Sequence, residues 1–170
     1  MGKRLTMFLM TLALGAGACF GEDAAALKFY KLDFVVKELD GGKVLNSRSY
    51  SAIVSTKPGT SCHIRTNSRL LMPTSSDGTQ FGAYDPGVNI DCGNVMDRQN
   101  DLSITVTAEV RSVSQDISAS SVAARQPVTR ENKWDSTVVI PLKKPTVVFS
   151  SDDPTSKHQM QLELTATPIP

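Results

Sequence analysis

The chain is poor in the side chains from which most enzymes and metal proteins are built. Its 170 residues include two His, three Cys and one Trp, and aromatic residues make up only 6%. His63 and His158 form no His-Glu-x-x-His motif, and the cysteines form no Cys-x-x-Cys pair, so no zinc-site spacing is present and no metal is expected. There is no Gly-x-Ser-x-Gly elbow and no glycine loop to cradle a phosphate. A catalytic role would require His63 or His158 to meet carboxylates in a cleft, and those nearest to His158 in sequence are Asp152 and Asp153. The simpler reading is two surface histidines and a chain that is not an enzyme and has no cofactor. Asp152 to Ser156 lacks the ligand count of a calcium loop and reads as a turn set by Pro154.

An excess of one charge is also lacking. Lys and Arg number 18 against 17 Asp and Glu, a formal charge of +1, which gives no electrostatic reason to bind nucleic acid. With 40% hydrophobic residues the chain is not disordered throughout, and its length suits one domain.

Long apolar runs are missing except at the start. Lys3 and Arg4 precede an almost uncharged stretch from Leu5 to Phe20, followed by Gly21, Glu22 and Asp23, the pattern of a secretory signal peptide. At about 16 residues the run is shorter than the roughly 20 that span a bilayer as a helix, so no integral span is expected after cleavage. Residues 1–21 are assigned to the signal peptide and 22–170 to a single mature domain. Ala16-Gly17-Ala18-Cys19 also loosely matches a lipoprotein box, which makes Cys19 a candidate for lipidation. The expected location is periplasmic or secreted, with an outer-membrane lipoprotein as the alternative.

Once Cys19 is set aside, Cys62 and Cys92 are left as an even pair in an exported chain, where disulfides persist. Strand-like segments Ser61 to Leu71 and Phe81 to Cys92 flank the turn-rich stretch Pro73 to Thr79. Paired positions of an antiparallel hairpin have a constant sum. For Cys62 and Cys92 that sum is 154, which centres the hairpin on Asp77 within the turn and brings the two sulfurs face to face.

The rest of the mature chain reads as a succession of short β segments. Leu27 to Glu38 and Ser47 to Ser55 flank a turn at Asp40-Gly41-Gly42-Lys43. Leu102, Ile104, Val106, Ala108 and Val110 alternate with polar residues, as do Met160, Leu162, Leu164 and Ala166, so each strand has one buried and one wet face. Val138 to Ile140 and Thr146 to Phe149 are continuous apolar runs suited to strands covered on both sides. The small polar stretch 115–130 has no period and is expected to be a mobile loop. The predicted fold is all-β: an antiparallel sandwich or partly open barrel of about seven to nine strands.

Tyr84-Asp85-Pro86-Gly87-Val88-Asn89-Ile90-Asp91-Cys92, the alternating strand at 102–110, Pro127-Val128 and the segment from Trp134 to Phe149 together resemble the C-terminal β core of bacterial secretins of type II and III secretion and type IV pilus systems. Ile64 to Pro73 falls where that family has a segment ending in Pro-Val. The likeness spans about residues 62–150. Pro86 stands where the family usually has Val, and Ser150-Ser151-Asp152 where it has Gly-Gly-Leu. The resemblance implies a related β topology and an envelope setting, without a gated pore.

Four residues are candidates for a binding surface. Arg65 and Arg69 would make a small anion-binding patch or, more simply, solvated strand charges; Trp134 would be an exposed anchor or, more simply, a cover over one end of the core, and Tyr84 would belong to a binding surface. Gly87 reads as a bulge or a positive-φ turn beside Pro86. The expected function is that of a noncatalytic envelope domain that associates with itself or docks on a larger envelope protein, marked by an uncovered, weakly charged edge strand. The alternative is a soluble exported module for a small molecule or glycan, marked by a concave pocket holding Trp134 or Tyr84.

Overall fold

Alternation of apolar and polar side chains decides the architecture. In the computed structural model, which describes residues 26–75, 79–115, 127–154 and 157–170, ten strands and no helix appear among the described residues. They are β1 (Phe29–Asp40), β2 (Lys43–Ser55), β3 (Ser61–Asn67), β4 (Leu70–Pro73), β5 (Phe81–Tyr84), β6 (Gly87–Arg98), β7 (Asp101–Gln115), β8 (Pro127–Pro141), β9 (Thr146–Asp152) and β10 (His158–Ile169). The segment expected as a signal peptide, with Cys19, lies outside the described residues.

Two four-stranded antiparallel sheets form, in the orders β2-β1-β10-β9 and β3-β6-β7-β8. Tyr30, Leu32, Phe34 and Val36 of β1 and Met160 to Ala166 of β10 point inward at every second position, against Val88, Ile90 and Cys92 of β6 and Leu102 to Ala108 of β7. The chain passes from the first sheet to the second between β2 and β3 and returns between β8 and β9. Trp134 of β8 and Phe149 of β9, with ring centroids 5.8 Å apart, close the flank at that return, and Trp134 packs against the core. The sheets remain separate, so the fold is an open sandwich and not a barrel.

The turn at Asp40 to Lys43 is present, with Gly41 and Gly42 at φ +55° and +83°, the consecutive left-handed pair that a tight hairpin requires. The cysteine hairpin has the expected register: paired numbers sum to 154 from Ser61↔Gly93 to Asn67↔Gly87, and again from Leu70↔Tyr84 to Pro73↔Phe81. Cys62 and Cys92 are direct partners with Cα atoms 5.0 Å apart, joined by a disulfide and buried in the core. Ten strands appear where seven to nine were expected because this hairpin is interrupted. Pro86 has no N–H to give the ladder, so β5 and β6 are separate, while the Ser68 N–H donates to the Pro86 carbonyl at 2.9 Å and holds the halves in line. Its outer half, β4 with β5, is a two-stranded arm.

Gly87 is required for a different reason from the one expected. Its φ is not positive; instead, a Cβ there would lie 2.1 Å from Asn67 Oδ1 and 2.3 Å from the Thr66 carbonyl oxygen. The absent side chain lets β6 start hard against the end of β3. Strand β7 runs to Gln115 and β8 begins at Pro127, so Pro127–Arg130 are strand where a loop was expected: pairing with β7 supplies the order that their sequence pattern does not show. Residues 116–126 lie outside the described residues.

At the end of the sandwich away from the arm, buried Tyr30 lies beside Asp97 of β6, whose carboxylate pairs with the Lys28 ammonium. Burial, then the hydrogen bond to Asp97 and its negative charge, push the Tyr30 phenol up to about 12 from 10.0.

Two predictions follow from the ties within and between the sheets. Replacing Cys62 by Ser should lower stability by about 3 to 4 kcal/mol through the freed loop of roughly 30 residues, read as a lower melting temperature under oxidising conditions. Because the folded phenol titrates higher than the unfolded one, wild-type stability should be intact below about pH 10 and fall as pH rises towards 12. Denaturant midpoints at about pH 9 and pH 11.5 should differ less in Tyr30→Phe than in wild type.

Candidate functional site at the open end

Three of the four edges of the two large sheets are short or charged. Strand β8 bears Arg130, Glu131, Lys133 and Asp135; β9 is seven residues long with a register shift against β10; β3 is also seven residues and bears His63 and Arg65. Strand β2 also shifts register against β1, between Glu38 and Leu39, but it is long and carries little charge. It is 13 residues long, its only charges are Lys43 and Arg48, and Val44, Leu45 and Ile53 are exposed at 54%, 59% and 65%. Among the described residues no strand pairs with its outer side, which leaves a weakly charged free edge.

The inward face of β2 changes character along its length. Val54, Ala52 and Tyr50 lie across from Tyr30, Leu32 and Phe34, but the next two inward positions are Arg48, opposite Val36, and Asn46, opposite Glu38. There the sheets part over a cleft of about 260 Å³, walled by Val36, Val88, Val110 and Leu70 and bordered by Glu38, Asn46 and Arg48. Asn46 Nδ2 donates to Glu38 Oε2 at 3.5 Å. Arg111, also at the border, is taken up by Glu109 and Glu131. The Arg48 guanidinium has no hydrogen-bond or ion-pair partner among the described residues.

The arm rises from the rim of this cleft, since Leu70 of β4 and Pro86, at the break between β5 and β6, both line it. Neither strand of the arm carries a charged side chain. Leu71 pairs with Ala83 and Pro73 with Phe81, giving one face of four exposed apolar residues, Leu71 at 69% and Phe81 at 61%. Exposed apolar groups gathered in this way mark an interaction surface.

The outer face of the second sheet is polar. Ser61 Oγ lies 3.2 Å from His63 Nε2, and His63 Nδ1 lies 2.6 Å from Asp91 Oδ1, the order of a nucleophile, a base and an orienting acid. These groups lie on an exposed strand face outside the cleft, and Arg65 grips both oxygens of the same carboxylate at 2.7 and 2.9 Å. The arrangement clasps edge strand β3 to β6. Burial raises the Asp91 carboxyl, but hydrogen bonds from His63 and Arg65, with their charges, outweigh it and hold the group below 3.8.

The candidate residues read from sequence are not brought together. Arg65 is committed to Asp91 and so is no free anion site; Arg69 falls between β3 and β4, off the strand face it was expected to share. Tyr84 sits in the arm, partly buried against Gly82, whereas Trp134 covers the core beside Phe149. Neither ring lines the cleft. Sequence reasoning passed over Arg48, Asn46 and Glu38. Their signal was present, because polar side chains occupy positions in phase with the buried residues of β1 and β2.

Neither a protein-family model nor a curated protein matches the chain. Among solved structures it is similar to the secretin-domain β-barrel of InvG from the Salmonella SPI-1 injectisome, at 8% identity and a TM-score of 0.43, covering 85% of this chain and 62% of that one. It is also similar to the InvG secretin of the Salmonella SPI-1 type III secretion injectisome, at 6% and 0.39, covering 85% and 64%. A third match, the basal-body InvG solved with PrgH and PrgK, has the same identity and score and is covered over 45% of its length. The chain thus spans less than two thirds of each of these proteins, and the likeness is a weak secretin-like one.

The Asp91 clasp predicts an acid response. With its folded pKa below the unfolded value, the carboxylate contributes stability above about pH 4 that is lost as pH falls through the folded value. Asp91→Asn should lower the melting temperature modestly at neutral pH and flatten its dependence between about pH 5 and pH 2, as thermal scans would show.

Proposed function

We propose that this chain is a noncatalytic, exported envelope domain that acts by protein–protein association, adding a partner strand at the free edge of β2. The observation that carries the reading is the edge itself: 13 residues with two charges, three exposed aliphatic side chains and one side of its backbone ladder unpaired among the described residues. The Cys62–Cys92 disulfide supports an oxidising, extracytoplasmic location, as does the signal-like N-terminus. The apolar arm beside the cleft supports a role in association over one in solution chemistry.

The small-molecule alternative has less to support it. The cleft of about 260 Å³ falls short of the roughly 300–1,000 Å³ that enclose a drug-sized ligand, and it holds neither Trp134 nor Tyr84. A lipid anchor at Cys19 and residence in the periplasm or outside the cell remain part of the proposal.

Ser47 and Ser49 are exposed on the outward face of β2, and lysines there would charge the edge without entering the core. Tagged wild type should retain an envelope protein in pull-downs, with β2 amides protected from hydrogen exchange in the complex. The Ser47→Lys, Ser49→Lys double variant should keep its melting temperature and lose the capture. Equal capture by both proteins, with β2 amides unprotected, overturns the reading.

A further inference from the structure

We infer that the partner segment received at β2 is an extended strand with small apolar side chains at alternate positions and a carboxylate among them, which pairs with Arg48. The inference rests on the strand-addition reading above and names the chemistry of what is added.

The geometry of the cleft sets the first requirement. A strand paired to β2 would lie about 4.8 Å beyond it and turn every second side chain to the same side as Tyr50, Arg48 and Asn46. That side opens on Val36, Val88, Val110 and Leu70, an aliphatic wall with about 260 Å³ in front of it. The space suits a few methyl-bearing side chains presented in a row better than one enclosed molecule. Small apolar residues at period two are what a strand delivers.

Arg48 sets the second requirement. It occupies an inward position of β2, and an added strand would cover it. A guanidinium taken out of water without a partner is costly, while one that gains a carboxylate makes a charge-assisted, often bidentate pair. Among the described residues no carboxylate is available at this site. Glu38 is hydrogen-bonded to Asn46 and makes no ion pair with Arg48, and the acids near Arg111 already hold Arg111. The carboxylate must therefore come with the incoming chain, and its place fixes the register that bare backbone pairing would leave free to slip.

The test uses the oxidised mature protein and two synthetic nine-residue peptides of alternating valine and threonine, one with a central glutamate among the valine positions and one with lysine there. Fluorescence anisotropy should show the glutamate peptide binding wild type about tenfold or more tightly than the lysine peptide. Arg48→Glu should reverse the preference and Arg48→Gln should abolish it. Both variants should melt like wild type, since the side chain is exposed. Equal binding of the two peptides, or a preference unmoved by either variant, overturns the inference. So does light scattering that shows wild type pairing with a second copy through β2, relieved by Ser47→Lys with Ser49→Lys. If neither peptide binds while β2-dependent capture of an envelope protein persists, this inference fails and the strand-addition reading stands. If that capture is also absent, both fail.

Discussion

Strand β3 is held on one side only, by β6, and is seven residues long, which is little backbone pairing for a strand that must stay in place. The Cys62–Cys92 bond supplies the missing constraint. It joins two residues that are direct partners, so it fixes register as well as proximity, and the same register holds on both sides of the break, from Ser61↔Gly93 to Asn67↔Gly87 and from Leu70↔Tyr84 to Pro73↔Phe81. With the register fixed, Gly87 reaches Asn67 where no side chain would fit, and Leu70 and Pro86 arrive at the rim of the cleft. The Ser61–His63–Asp91–Arg65 clasp adds a polar tie on the outer face of the same pair of strands. The arm and the cleft wall are consequences of where one covalent bond sits.

The opposite flank shows what a closed edge looks like. There Trp134 and Phe149 pack together, and the charged side chains of β8 discourage any further strand from pairing. At β2 the apolar alternation ends after Tyr50 and gives way to Arg48 and Asn46, while the facing wall of Val36, Val88 and Val110 goes on. One wall of the sandwich is therefore apolar and longer than its cover, and the strand beside the gap is a 13-residue edge with only two charges.

Much of this was legible from sequence, and the reason differs by element. The hairpin register could be computed because two cysteines that bond must face each other, and antiparallel pairing turns that into arithmetic. The Gly41-Gly42 turn and the strands at 102–110 and 160–166 were legible because period-two burial and positive-φ chemistry are local. What escaped depends on facts between strands. The split at Pro86 was hidden because strand-like residues flank it on both sides; the demand on Gly87 is a contact with Asn67, 20 positions away in sequence; and Arg65 looked like a free cation until β6 placed Asp91 beside it. Arg48 was readable in principle, as a charge in phase with Tyr50, Ala52 and Val54. Its meaning needed the second sheet, because a charge in that phase marks a defect where the sheets stay packed and an opening where they part.

An unguarded edge beside an apolar gap is a hazard in any protein that does not use it, since identical chains could pair through it without limit. Two features here bear on that hazard. Arg48 would meet its own repeat if two β2 strands paired antiparallel about that residue, and like charges opposed across strands are unfavourable. The arm standing at the rim further narrows the approach to a single chain rather than a whole sheet. The same cation that leaves the cleft unsatisfied when empty thus works against the simplest form of self-pairing. Openness to a carboxylate-bearing strand and resistance to its own copy are two consequences of one side chain on the inward phase of β2.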